Sequence, residues 1–113
     1  MGVTQILNRP QYASYINYVP DTPKEKEKFL STIKKIKSEN PADLFILGLH
    51  TNEPEYISKV TENQEKWYNE LLEAGVDIIW ANHAHVIKKQ KILTNKDSGK
   101  NDKLIMYGNG NTI

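Results

Sequence analysis

Two hydrophobic periods share this chain. Phe29, Ile33 and Ile36 recur at helical spacing, with Leu30 beside them, while Lys26, Glu27, Lys34, Lys35 and Lys37 take the opposite face. That pattern predicts an amphipathic helix. Thr22-Pro23-Lys24-Glu25 opens it with a Thr N-cap, Pro at N1 and Glu at N3, and Asn40-Pro41 stops it after Glu39. Residues 43–49 then form an apolar run that ends in His50. A second capping sequence, Thr61-Glu62-Asn63-Gln64, precedes a helix whose buried side is Trp67, Leu71 and Leu72, with Ala74 near its end and Gly75 in the C′ role. Residues 76–81 form the second apolar, β-branched run. Helix, strand, helix, strand predicts a parallel pair joined by a right-handed crossover. Residues 86–93 and 103–107 are half-apolar strands around a polar turn at 95–102, which predicts a hairpin. Gly108-Asn109-Gly110-Asn111 is a backbone-permissive turn at the last strand's exit. The fold class expected is α/β: parallel strands with crossover helices plus a C-terminal hairpin.

The first 22 residues carry no sustained period. Residues 3–8 suit a short strand stopped by Asn8-Arg9-Pro10. Tyr12, Tyr15 and Tyr18 then recur every third residue. They read either as an aromatic binding face or as a tyrosine-rich connection whose rings pack on the domain. The Lys-rich helix face reads as a solvated surface, with contact to an anionic partner as the other possibility.

Size and charge narrow the function classes. A chain of 113 residues makes one domain with a modest core. A formal net charge of +1 gives no electrostatic case for nucleic acid as a partner. The absence of cysteine excludes disulfides and thiolate metal sites. No run approaches the ~18 apolar residues of a membrane span. Positions 1–10 lack the apolar core of a signal peptide.

The chemistry concentrates in three histidines, His50, His83 and His85, each at or beyond the end of a predicted strand. Ligands of open α/β sheets bind outside the carboxyl ends of the strands. If residues 83–85 stay extended, both imidazoles point to one side. Parallel neighbours would bring His50 to the same edge, where converging imidazoles suit a transition metal.

Asn82-His83-Ala84-His85 resembles the G-H-x-H signature of calcineurin-like metallophosphoesterases, with Asn in place of Gly. The order of motifs is similar to one branch, the bacterial poly-γ-glutamate capsule-synthesis proteins of the CapA type. The matching positions are His50, Gln64, Ala74-Gly75-Val76-Asp77, His83-Ala84-His85-Val86 and Tyr107-Gly108-Asn109-Gly110-Asn111, over about residues 42–112. The resemblance implies a partial metallophosphoesterase-like α/β sandwich, with the 113 residues as the C-terminal part of a larger domain. It implies a divalent metal (Mn, Zn or Fe) held by His50, His83 and His85, with His85 also able to act catalytically on phosphoryl oxygens. Asn82, Glu53, Glu55 and Asn109 are the further candidate ligand contacts. The loop 50–56 departs from the family's Trp-Gly and Glu-Tyr pattern, so its acidic contact stays open between Glu53 and Glu55.

The family's earlier acidic and Asn-His ligands have no counterpart before His50. The expectation is therefore weak metal binding and little hydrolysis, because a two-metal site needs carboxylates as well as imidazoles. An anionic envelope polymer or a phosphoester is the partner implied, and the cell envelope the implied location. A non-catalytic binding or assembly module for such a polymer or for a partner subunit is the alternative. A purely structural α/β role is a third reading. Self-association is expected if a sheet face or edge is left uncovered.

Overall fold

The computed structural model describes residues 1–97 and 99–111. Position 98 of the expected turn, and positions 112 and 113, lie outside that set. The elements are β1 (Gly2–Thr4), a short 3-10 helix (Pro10–Tyr15), α1 (Pro23–Glu39), β2 (Ile46–His50), α2 (Glu62–Ala74), β3 (Ile78–Asn82), β4 (Gln90–Leu93) and β5 (Lys103–Met106). They build one five-stranded sheet in the order β1-β2-β3-β5-β4. The first four strands in that order run parallel, and β4 lies antiparallel to β5. The fold is α/β, with the expected parallel pair and hairpin in place.

Local chemistry explains the helices. The Thr22 hydroxyl accepts from the Glu25 N–H, and Thr61 does the same for Gln64 at 3.0 Å. Gly75 ends α2 with φ +125°, a conformation a side chain would strain. Two β-α-β crossovers of the same hand, taken in the same direction, put α1 and α2 on one face of the sheet. Phe29 and Ile33 of α1 and Trp67, Tyr68, Leu71 and Leu72 of α2 bury there against Leu47, Leu49, Ile79, Ala81 and Ile105.

Several expectations need correction. The strands begin later than the apolar runs do. Phe45 and Asp77 lie outside the ladder, where the Asp77 carboxylate accepts from the Phe45 N–H at 2.8 Å. The first hairpin arm is only Gln90–Leu93, and residue 87 joins Asn109 through an isolated bridge. The opening strand is three residues long, because Thr4 next binds the 17–19 segment: Thr4 N–H to Asn17 O and Val19 N–H to Thr4 O. That segment therefore lines the outer edge of β1. The Tyr15 ring does not pack on the domain, being 81% exposed, while Tyr12 is 47% and Tyr18 36% exposed. Lys26 and Lys37 leave the solvated face of α1, pairing with Asp21 and with Asp77 respectively. No helix among the described residues is long and apolar enough to cross a membrane.

Candidate metal and phosphoryl site

Strand register assembles the site. Thr4, His50 and Asn82 are cross-strand neighbours at the C-terminal ends of β1, β2 and β3. His83 follows β3 with φ +110°, so the chain leaves the extended conformation there. The same-side geometry expected of His83 and His85 requires an extended backbone and is not formed. The turn instead carries the His83 ring against His50, edge to face with centroids 4.9 Å apart.

The hydrogen bonds fix the His50 tautomer. The Thr4 hydroxyl donates to Ile6 O at 2.8 Å, so towards His50 Nδ1, 2.9 Å away, it accepts. His50 therefore carries its proton on Nδ1 and presents a lone pair at Nε2. That lone pair faces His83 Nδ1 at 3.2 Å. If His83 donates there, its own Nε2 presents a lone pair towards Glu55 Oε1, 3.7 Å away. Two acceptors face one another across that gap, an arrangement completed by a proton or a cation. Burial, and then the neighbouring His83, hold the His50 imidazole below its usual pKa and favour the neutral, ligating form.

His85 is placed differently. Its Nδ1 lies 2.8 Å from Asn111 Oδ1, its ring stacks on Tyr56 at 5.3 Å, and its backbone N–H donates to Glu55 O. A proton on Nδ1 towards the carboxamide oxygen leaves Nε2 bare. The structure thus brings His50 and His83 together, with Glu55 opposite, and holds His85 next to them through loop 51–56. Among the described residues, no three His, Asp or Glu side chains converge as a closed metal cage.

The loop carboxylates divide cleanly. Glu53 accepts from Thr61 Oγ1 at 2.7 Å and lies 3.4 Å from Asn63 Nδ2, so it braces the start of α2. Glu55 is the carboxylate that faces the histidines. Asn109 donates to Ala81 O at 3.1 Å and ties the last turn to β3. Asn82 accepts from the Thr51 N–H through its backbone and exposes its side chain beside His50. Behind the loop, buried Lys88 donates to Gln64, whose amide donates in turn to Tyr68 and to Tyr107 O. Burial lowers the Lys88 pKa against the opposing pull of Glu53. Thr4 was not legible as a site residue, because only the β1–β2 register sets it beside His50.

The family model for a bacterial capsule synthesis protein, PGA_cap, matches residues 3–113. The chain belongs to that family. No curated protein sequence matches it. In this capsule-synthesis chain the match takes in the strand ends, the loop carrying Glu55 and the H-x-H turn alike.

Proposed function

We propose that this capsule-synthesis protein handles an anionic envelope polymer of the poly-γ-glutamate kind, or a phosphoester linked to it. In this reading it works at the cell envelope with a divalent ion that would be held by His50 Nε2 and His83 Nδ1, while Glu55 faces the opposite nitrogen of His83. The observation that carries the reading is the His50–His83 pair facing Glu55 at the sheet's C-terminal edge. Two imidazole nitrogens on one tetrahedral ion, each about 2.0–2.1 Å from it, sit roughly 3.3 Å apart. The 3.2 Å separation of His50 Nε2 and His83 Nδ1 fits that donor set when His83 carries its proton on Nε2, towards Glu55. Thr4 would fix the His50 ring from behind, as outer hydrogen-bond partners of ligating histidines do. The ion would supply Lewis-acid polarisation of a phosphoryl or carboxylate oxygen. His85, oriented by Asn111 and Tyr56 with Nε2 bare, would accept a proton there and, once protonated, deliver it to the leaving oxygen. With neutral imidazoles alone as its ligands the ion is weakly held, and the chain alone hydrolyses poorly.

Calorimetric titration with Zn²⁺ and Mn²⁺ tests this. Binding should be measurable in the wild type, lost in His83→Ala and weakened in Glu55→Gln and Thr4→Val. Equal heats in all four proteins would dismiss the site. The alternative, a non-catalytic polymer-binding module, draws support from the exposed Tyr12 and Tyr15 and the exposed Lys34 and Lys35. It requires polymer binding that falls with salt and is unchanged by His83→Ala.

A further inference from the structure

Gln64 belongs to the motif order of the sequence, yet neither the ion nor the proton uses it. It is buried, and both N–H groups of its amide are engaged. Nε2 donates to Tyr68 Oη at 3.0 Å and to Tyr107 O at 2.9 Å, while Oε1 accepts from Lys88 Nζ at 3.1 Å. The flipped amide would set N–H against ammonium, so one orientation fits. Lys88 is itself only 3% exposed. Among the described residues, Gln64 Oε1 is the one hydrogen-bond acceptor of its ammonium. A buried ammonium is costly unless it is paired, and a hydrocarbon side chain would fill the same channel at lower cost.

We infer that the Gln64–Lys88 pair is a positioning device for His85. Three loops carry the groups around that ring. The loop 51–56 gives the Glu55 carbonyl and the Tyr56 ring, and the turn after β5 gives Asn111. The pair joins both loops to the turn that bears His85. On the β5 side, Gln64 holds Tyr107 O, and the Lys88 N–H donates to Gly108 O at 3.0 Å. The Lys88 stem fills the space a side chain at position 108 would take, since a Cβ there would meet Lys88 Cγ at 3.0 Å. On the loop side, the Thr61 hydroxyl accepts from the Gln64 N–H at 3.0 Å and donates to Glu53 at 2.7 Å. The Glu53 carboxylate also attracts the Lys88 charge. Reacting groups are precise when packing and outer hydrogen bonds lock what surrounds them. His50 is held from outside this network, by Thr4 and the strand register. The inference rests on the reading of His85 as the proton carrier, but its geometry is testable without an ion.

Nuclear Overhauser contacts between side-chain rings, measured on the metal-free 113-residue chain, provide the test. The wild type should show contacts between Tyr56 and His85 and between His50 and His83. Lys88→Met fills the channel without a donor. It should fold, lose the Tyr56–His85 contacts and keep those of His50 with His83. Lys88→Gln returns a donor to Gln64 Oε1 without the buried charge, and should restore the contacts of His85. A purely structural lysine would move both ring pairs together or neither. Tyr56–His85 contacts intact in Lys88→Met overturn the inference, as does loss of both ring pairs at once. If Lys88→Met does not fold, Lys88→Gln decides: retained contacts support the positioning role and lost contacts overturn it. Failure of both variants to fold also overturns it, because Lys88 then serves the core rather than His85. Zn²⁺ titration of the same proteins separates the two readings. A wild type that binds no Zn²⁺ but follows the ring pattern dismisses the ion and still supports the positioning of His85.

Discussion

Asp77 shows how one side chain can join separate parts of the fold. Its carboxylate takes the Phe45 N–H at 2.8 Å, Lys37 Nζ at 3.1 Å and Lys103 Nζ at 3.6 Å, linking α1, the entry to β2 and β5. Burial alone would raise its pKa. The Phe45 hydrogen bond and the two ammonium groups outweigh that and hold it below the usual 3.8. The unfolded chain therefore takes up this proton first as pH falls. The stabilisation is complete above the unfolded pKa, declines as pH drops through about 4, and is lost below the folded value. Asp77→Asn keeps an acceptor for Phe45 but gives up both lysines. It should cost about 1 to 3 kcal/mol at neutral pH. It should also flatten the acid limb of stability against pH, as read by urea melts at successive pH values. An unchanged acid limb would place the acid sensitivity in another carboxylate. In the sequence Asp77 stands only as the last residue of a matching motif, and its two lysine partners, 40 and 26 positions away, needed the fold to be seen.

The elements were the most legible layer, and the reason is local. Helix caps, Gly75 and the 3.6-residue spacing of Phe29, Ile33, Ile36, Trp67 and Leu71 act within a few residues, so sequence carries them directly. Leu71 is fully buried between α2 and the sheet, and Leu71→Ala should cost about 2 to 5 kcal/mol in a denaturant melt. A loss below about half a kcal/mol would show that α2 is peripheral. What sequence did not carry was set by contacts at a distance. The site split into a His50–His83 pair and a separate His85 because the backbone at residue 83 turns to φ +110°, and no spacing rule announces that turn. Which of Glu53 and Glu55 faces the histidines likewise depends on a distant contact, since Thr61 recruits Glu53 to the start of α2.

At the scale of the whole molecule, the sheet is closed to neighbours in one direction and open in another. The β1 edge is lined by the 17–19 segment, and the opposite edge, β4, is four residues long with Lys91 in it and Lys89 just before it. Short, covered or lysine-bearing edges resist the addition of a further strand. The face away from the helices adds no strand to the sheet. Growth along the hydrogen-bonding direction, the route to fibrils, is thus blocked by the same strand order that leaves the face apolar. The chain should not extend into a polymer through its strand edges. Prolonged incubation at high concentration should give no seeded, thioflavin-positive elongation, and what association occurs should reverse on dilution.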